Sequence, residues 1–390
     1  MPRLAAIVAL LSLLPLLARA SGGHAQELPK GTILDDVTCV ADSRESYALY
    51  VPSTYSPERS WNLLMAFHPS ARGRALVELY RTAAEQYGYI VAGSNTSRNG
   101  PWAVSLKAVQ AMSDDLGRRF AIDARRVYLT GMSGGARVAL QVALGSKAVA
   151  GVIASSAGFP DSQPRQTVPF PLFATAGTED FNYLEMRRLD RRLTSPHRLV
   201  IFSGGHTLPP EAVAVEAVEW LELQAMAAGL RARDEGLIER LLDKRRRAID
   251  HIDSAATLHQ LETLVADFKG LRDVSQEATR AAALSKIGAI RKEVAREADD
   301  DAAQQRMLDE VYELERQLRN PDLRFQSLAR LRNVLEAWAR TATQPTASAD
   351  RDRARRLLSA VSAGVATRSD DAEYLKLIEQ LRRGVSPMNR

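Results

Sequence analysis

Cysteine is almost absent from this chain of 390 residues, which contains only Cys39. No disulfide can form within the chain, so its fold depends on the buried core that a chain of this length can build. The net charge of +5 is small for the length and gives no indication of nucleic-acid binding. Beyond the N-terminal segment, no stretch is apolar enough to cross a bilayer.

Long apolar runs are otherwise lacking, and the N-terminal segment is the exception. Arg3 precedes an almost wholly apolar run over residues 4–17, which ends before small residues. This pattern is typical of a secretory signal peptide, and we expect one over residues 1–25, cleaved after Ala20 or Ala25. A membrane anchor is the alternative, but the run is short for a span and a proline interrupts it. We therefore expect an exported protein, periplasmic or extracellular.

Glycine and proline are scarce in the second part of the chain. Residues 231–390 hold 5 of the 23 glycines and 3 of the 17 prolines, but 57 of the 99 charged residues. Few helix breakers and many charges predict helices with exposed polar faces. We expect an all-α domain of about six or seven helices over 230–390, separate from residues 26–229 and without a chemical role. Its expected use is binding a protein partner or self-association, and the basic run 244–247 is expected to be a solvated helix face.

The first part of the chain alternates between apolar runs and helical patterns. The apolar runs lie at 46–51, 61–67, 89–93, 126–130, 151–155, 171–176 and 198–202, and the helical patterns lie at 73–87, 102–120, 134–147, 181–194 and 210–228. Most later runs are continuous rather than alternating, as in strands buried on both faces of a parallel sheet. This alternation predicts a three-layer α/β sandwich with a mostly parallel sheet.

Glycines surround Ser133 in the stretch YLTGMSGGARVAL at 128–140. The serine follows an apolar run directly and opens a helical pattern, which is the context of a nucleophile elbow. Gly131 and Gly135 lie two residues on either side, where a side chain would crowd the turn. The N–H of Gly134 lies at a helix N-terminus, so we predict that it stabilises an oxyanion. A simple turn between strand and helix is the alternative.

Histidine is scarce, so the base for such a nucleophile can be sought by elimination. The six histidines are His24, His68, His197, His206, His251 and His259. Only His206 follows a predicted strand at its C-terminal end on a glycine-rich loop, where sites on parallel sheets lie. His24 lies in or just after the N-terminal segment, and His68 is expected to be structural. The alternative for His206 is a loop residue that caps the next helix.

The acid that orients this base is predicted to be Asp180, in the stretch GTEDFN. Its position after the sixth apolar run places it at the same sheet edge as the other two groups. The chain order Ser133, Asp180, His206 is the order found in α/β-hydrolases. Glu179 and Asp161 are rival acids, and a helix N-cap is the alternative role for Asp180.

A second oxyanion donor is predicted in HPSARG at 68–73, between an early strand and a helix. Ser70 or Ala71 is the expected donor, because Pro69 has no N–H. Trp102 lies on a loop at the catalytic edge and is a candidate to stack on a sugar or aromatic ring of the substrate. A buried anchor for the next helix is the alternative for this tryptophan. The chemistry needs no metal or cofactor, and the sequence has no His/Cys cluster with ligand spacing.

These motifs carry a resemblance. Over roughly residues 30–228, the chain resembles the polyhydroxybutyrate-depolymerase-like and feruloyl-esterase-like branch of the α/β-hydrolases. The motifs that carry this resemblance are HPSARG, SNTSRNGPW, TGMSGGARVA, GTEDFN and GGH. The resemblance implies a serine esterase with Ser133 as nucleophile, Asp180 as acid and His206 as base. It also implies ester substrates, such as acyl or aryl groups on polysaccharides, or polyesters. Many relatives have His-Gly where this chain has His-Pro, and the helical part has no counterpart.

Two other functions remain open from the sequence. One is an interaction protein whose helical part binds a partner while the hydrolase part is inactive or secondary. The other is a serine peptidase on the same scaffold. The complete set of Ser133, Asp180 and His206 favours the secreted esterase.

Overall fold

The computed structural model describes residues 28–161 and 163–385. The predicted signal peptide over residues 1–25 lies outside these ranges. Within them, no helix combines the length and the apolar character that a membrane span requires.

The first part of the chain folds into one eight-stranded sheet with helices on both faces. The strands are β1 (Ile33–Thr38), β2 (Ser46–Tyr50), β3 (Trp61–Phe67), β4 (Tyr89–Ser94), β5 (Ile122–Met132), β6 (Val149–Ser155), β7 (Leu172–Gly177) and β8 (His197–Phe202). The helices are α1 (Gly73–Tyr87), α2 (Trp102–Arg119), α3 (Gly134–Gly145), α4 (Tyr183–Arg192) and α5 (Glu211–Ala227). The strand order is β1-β2-β4-β3-β5-β6-β7-β8. β2 is antiparallel to both neighbours, and β3 to β8 pair in parallel. The predicted three-layer α/β sandwich is confirmed.

One strand, β1, is not predicted from the sequence. Its sequence ILDDVT carries Asp35 and Asp36 in the middle, so it lacks a continuous apolar run. β1 is the outermost strand of the sheet and pairs only with β2. An edge strand tolerates exposed acidic residues, which also discourage pairing with another chain.

Two apolar layers cover the faces of the sheet and hold the helices on it. On one face, Val109 and Leu116 of α2 and Leu140 of α3 join the buried side chains of the sheet. On the other face, Tyr80 of α1 and Trp220 of α5 do the same. Each such side chain contributes roughly 1.5–3 kcal/mol by leaving water. The ends of the strands, where the loops carry polar residues, are thereby fixed in space.

The second part of the chain is helical, as the breaker count predicts. The described helices are α6 (Glu235–Ala248), α7 (Ala255–Phe268), α8 (Ser275–Leu284), α9 (Gly288–Gln317), α10 (Pro321–Ala342), α11 (Ala349–Ser362), α12 (Val365–Arg368) and α13 (Ala372–Val385). These are eight described helices, one of them only four residues long, against the expected six or seven. α6, α7 and α8 contribute to two smaller buried clusters. The apolar stripes of α9, α10, α11 and α13 meet in one core, which we call the helical core. It includes Leu308, Val311, Leu314, Leu331, Leu335, Trp338, Leu357, Val361 and Tyr374.

Apolar contacts cross the expected domain boundary near Gly229. Leu223 and Met226 at the end of α5 share a buried cluster with Leu237 and Ile238 of α6. Leu184 of α4 is a member of the helical core itself. The amino-acid composition thus changes near Gly229, but the side chains before and after this position pack together. Separate folding of residues 26–229 and 230–390 stays a prediction.

Charged contacts cross the same boundary. The basic run 244–247 is expected to be a solvated helix face, and Lys244, Arg246 and Arg247 are exposed while Arg245 is half-buried. Three of these four side chains also form ion pairs with carboxylates of other helices. Lys244 pairs with Glu219, Arg245 with Glu216, and Arg246 with Glu277. The run therefore joins α6 to α5 and to α8. Sequence alone does not reveal this, because each carboxylate partner is at least 25 residues away along the chain.

Candidate active site

Three polar side chains meet at the C-terminal edge of the parallel strands. Ser133 lies between β5 and α3, Asp180 follows β7, and His206 follows β8. Nδ1 of His206 is 2.8 Å from Oδ1 of Asp180, and its Nε2 is 2.9 Å from Oγ of Ser133. This order lets the imidazole take a proton from the hydroxyl while the carboxylate fixes its tautomer.

Ser133 sits in a strained backbone conformation at the turn from β5 into α3. Its φ of 53° and ψ of −121° are unusual for a residue with a side chain and cost on the order of 1–3 kcal/mol. The N–H of Ser133 donates to the carbonyl of Ser155 at 2.8 Å, which ties the turn to β6. A Cβ on Gly135 would lie 1.9 Å from the carbonyl oxygen of Phe67, and one on Gly131 would lie 2.3 Å from the backbone of Gly135. The turn therefore requires both glycines.

Asp180 is fully buried, and its carboxylate faces the imidazole. Besides the contact with His206, its Oδ1 accepts the backbone N–H of Asn182 at 2.8 Å. The rival acids lie elsewhere. Glu179 pairs with Arg355 of α11 at 2.6 Å, and Asp161 pairs with a nearby arginine. Of the three candidate acids, Asp180 is the one that the structure brings to the histidine.

His206 is held from its face as well as its edge. Phe181 stacks on the imidazole with ring centroids 3.9 Å apart and an interplanar angle of 28°. The loop that carries His206 packs closely against the end of β7, which precedes Asp180. A Cβ on Gly177 would lie 2.3 Å from the carbonyl oxygen of Gly204. Sequence reasoning missed Phe181, whose only signal was its position next to Asp180.

The predicted oxyanion donors differ in what they contact. Gly134 is the first residue of α3, where backbone N–H groups have no partner within the helix. The N–H of Ser70 donates to Nδ1 of His68 at 3.0 Å, and that of Ala71 donates to the carbonyl of His68 at 3.1 Å. Ala71 also has a positive φ of 55°. Both amides already donate within their own loop, and their role as oxyanion donors stays a prediction.

The buried imidazole of His68 contacts one of these amides, the N–H of Ser70. Burial and the neighbouring Arg72 lower the pKa of His68 to about 4, so the ring is neutral near pH 7. Nη2 of Arg72 lies 3.0 Å from its Nε2. A neutral imidazole accepts at only one nitrogen, while Arg72 and the Ser70 amide can only donate. The two contacts therefore cannot both be hydrogen bonds to the neutral ring, and the tautomer of His68 decides which donor the ring accepts.

Asn99 lies in the loop before α2, and Trp102 is the first residue of α2. The structure thus places Trp102 at the start of a helix, where the sequence predicts a loop. Trp102 is 39% exposed, so the alternative of a buried helix anchor does not hold; its contact with substrate stays a prediction. Asn99 lies against the elbow, because a Cβ on Gly134 would fall 1.7 Å from the Oδ1 of Asn99. The N–H of Asn99 donates to the carbonyl of Pro69 at 2.8 Å, which joins this loop to the predicted oxyanion loop. Asn99 belongs to the stretch SNTSRNGPW, whose sequence alone predicts no role for it.

No protein-family model and no curated protein matches this chain. Among solved structures, it is similar to a thermostable esterase, with 19% identity over 48% of this chain and 61% of that chain, at a TM-score of 0.38. It is also similar to a mutant of the feruloyl esterase module from Clostridium thermocellum complexed with sinapinate, with 13% identity over 48% and 86% of the chains, at a TM-score of 0.40. Est1E from Butyrivibrio proteoclasticus shares 13% identity over 50% of this chain and 100% of its own, at a TM-score of 0.39.

The fold is defined by the sheet itself. The chain spans 61% of the length of the thermostable esterase, and identities of this size concern the fold alone. The sheet has eight strands, an antiparallel β2, crossover helices on both faces and a sharp turn from β5 into α3. A parallel sheet with this strand–turn–helix elbow at its carboxyl edge is the α/β-hydrolase architecture. The first part of the chain therefore has the α/β-hydrolase fold, and a helical region follows it.

Proposed function

We propose that this protein is a serine hydrolase that cleaves carboxylic esters. The observation that carries the proposal is the hydrogen-bonded series Ser133, His206 and Asp180, with the serine on a strained turn at a helix N-terminus. A serine hydroxyl is a weak nucleophile and needs an adjacent base, which His206 supplies at 2.9 Å. An interaction protein has no need for such an arrangement.

The proposed reaction follows from these groups. His206 takes the proton of Ser133 as Oγ attacks the ester carbonyl carbon. The N–H of Gly134, with an amide of the Ser70–Ala71 pair, stabilises the oxyanion. The protonated imidazole then gives its proton to the leaving alcohol, and an acyl-enzyme remains. Water, deprotonated by His206, attacks the acyl carbonyl and releases the acid while Ser133 regains its proton.

The substrate class is proposed from the resemblance and from the exposure of Trp102. Acyl or aryl esters on polysaccharides, or polyesters, are the proposed substrates, with the exposed Trp102 as a surface for a sugar or aromatic ring. Export to the periplasm or the exterior is a further proposal, supported by the N-terminal apolar run. Esterase and peptidase activity can be distinguished by comparing the rates on an aryl ester and an aryl amide that carry the same acyl group.

A fluorophosphonate probe tests the proposal, because it reacts with an activated serine. Peptide mapping is expected to find the label on Ser133. Ser133→Ala is expected to lose the label and about 10³-fold or more of the turnover on aryl esters while staying folded. Ser203→Ala is the control, since Ser203 is an exposed serine near His206 and is expected to keep the wild-type rate. A label on another serine, or wild-type turnover in Ser133→Ala, contradicts the assignment.

A further inference from the structure

The segment that carries Asp180 contacts the helical region directly. We call residues 178–184 the acid loop. Nη1 of Arg356 donates to the carbonyl of Thr178 at 2.5 Å, and Nη1 of Arg355 lies 2.6 Å from Oε1 of Glu179. These two arginines are consecutive in α11, some 176 residues further along the chain. They therefore fix the backbone and the side chain of the two residues immediately before the acid.

The acid loop is also held by apolar contacts with the helical region. Leu184 is buried in the helical core, and Phe181 and Tyr183 pack against that core. Phe181 is the same residue whose ring stacks on His206. A single aromatic side chain thus contacts both the histidine of the site and the core of the helical region.

Arg356 is itself held in place by α9, and its guanidinium also contacts a ring of the acid loop. Its Nε and Nη2 donate to Oε1 of Gln304 in α9 at 3.1 and 3.0 Å. Its guanidinium lies 4.2 Å from the centre of the Tyr183 ring. A planar guanidinium that is fixed in this way presents its third donor nitrogen, Nη1, in one direction. That donor is the one that meets the carbonyl of Thr178.

We propose that the helical region completes the active site by holding the acid loop, with Arg355 and Arg356 as positioning residues for Asp180 and His206. This inference rests on the proposed function of Ser133, His206 and Asp180. Within the sheet region, the N–H of Thr178 donates to the carbonyl of Phe202 in β8, that of Glu179 to the carbonyl of Gly204 in the loop that carries His206, and Nδ2 of Asn182 to the carbonyl of Ser156. The helical region supplies the contacts to the Thr178 carbonyl and to the Glu179 side chain. A displacement of about 1 Å in a catalytic group can reduce the rate by about a hundredfold, so support of this loop matters for turnover.

A positioning role differs in its consequences from a purely structural contact between the two parts. A structural contact affects the fraction of folded protein and leaves the folded molecules fully active. A positioning contact affects kcat in molecules that remain folded. Because Asp180 and His206 act on the chemical step rather than on substrate binding, the loss is expected in kcat and not in KM.

The test uses the full chain and three variants. Arg356→Met keeps the length and apolar stem of the side chain but removes its donors. Arg356→Lys keeps one cationic donor for the Thr178 carbonyl. Arg368→Met is the matched control, because Arg368 pairs with Glu315 inside the helical region and makes no described contact with the acid loop.

On a small aryl ester, Arg356→Met is expected to lower kcat about tenfold or more, with KM changed less than twofold. Arg356→Lys is expected to recover part of that loss, and Arg368→Met is expected to keep kcat despite a lower melting temperature. Losses in Arg356→Met and Arg368→Met that both follow the unfolded fraction would overturn the proposal. So would an Arg356→Met variant with wild-type kcat.

A proton NMR measurement separates this inference from the proposed function. The Nδ1 proton of His206, shared with Asp180, is expected to give a low-field resonance that is protected from exchange with water. That resonance should persist in Arg368→Met and should exchange faster or disappear in Arg356→Met. If wild-type protein cleaves no ester, the proposed function fails, while the NMR comparison still decides the positioning role. An unchanged resonance in Arg356→Met overturns it.

Discussion

At the scale of single residues, the neutral imidazole of His68 makes stability depend on pH. Burial, with Arg72, lowers the pKa of His68 from 6.5 to about 4 in the folded state. Between these values the unfolded chain binds more protons than the folded one, so stability rises with pH in this window and is lost as the pH falls from about 6.5 to about 4. The difference between pH 7 and pH 4.5 is about 2 kcal/mol.

Urea unfolding at pH 7 and pH 4.5 measures this effect. His68→Asn is the comparison, because the asparagine oxygen can accept the Ser70 N–H and does not titrate. Carboxylates contribute equally to both proteins, so the wild type is expected to lose about 2 kcal/mol more than the variant over this interval. An equal loss in the two proteins contradicts a depressed pKa at His68.

Whether a residue of the site could be predicted depends on how far along the chain its partners lie. Ser133 could be predicted as the nucleophile because its signal is local: glycines within two residues, a strand before and a helix after. Asp180 and His206 could be proposed because each follows a strand of a parallel sheet. The contacts of Phe181 and Arg356 could not be predicted, since a stacking partner 25 positions away and a carbonyl 178 positions away leave no local pattern.

At the scale of elements, continuous apolar runs predicted the central strands well. A strand covered on both faces must be apolar along its whole length, and such runs mark β3 to β8. β1 lies at the sheet edge with its aspartates exposed, so burial leaves little mark on its sequence. The elements that form the elbow are specified most strongly, because α3 approaches β3 so closely that its second residue must be glycine.

Gly135→Ala tests this close approach. Its Cβ would lie 1.9 Å from the carbonyl oxygen of Phe67 in β3, a backbone atom that cannot rotate away. Overpacking of this kind typically costs about 1–3 kcal/mol, and the displaced elbow is expected to lose most esterase turnover. Unfolding by heat or urea and the aryl ester rate measure the two effects.

Gly117→Ala is the matched control for the same substitution. Gly117 lies inside α2, and a Cβ there would meet nothing within 4 Å. Alanine is the better helix former, so this variant is expected to gain up to about 1 kcal/mol. If Gly135→Ala is as stable and active as Gly117→Ala, the elbow does not require a glycine.

At the scale of the whole molecule, composition and contacts lead to different expectations. The change in composition near Gly229 predicted a helical unit that folds separately. Across this boundary, however, Arg198 of β8 pairs with Asp267 of α7 at 2.5 Å, and Nε1 of Trp220 donates to the same carboxylate at 2.7 Å. All three side chains are buried or nearly so. The amino-acid composition indicates which residues face water. Whether the two parts unfold together depends on contacts between them, which the composition does not show.

Because these contacts cross the boundary, we expect both parts of the chain to unfold in one transition. The chain has four tryptophans, of which only Trp338 lies in the helical region. In a Trp338→Phe background, fluorescence therefore reports the sheet region, while far-ultraviolet circular dichroism is dominated by the helices beyond Gly229. The midpoints in urea are expected to coincide, as in two-state unfolding.

Asp267→Asn then tests the coupling itself. Among the described residues, the substitution leaves the buried guanidinium of Arg198 with Glu216 as its one charged partner. Breaking a buried pair costs about 3 kcal/mol. Both midpoints should fall together if the two parts unfold as one unit. Leu335→Ala, deep in the helical core, is the control: a cooperative molecule transmits its effect to the tryptophan signal of the sheet region. If Leu335→Ala shifts only the circular dichroism signal, the helical region unfolds independently, and its hold on the acid loop does not depend on the stability of the whole chain.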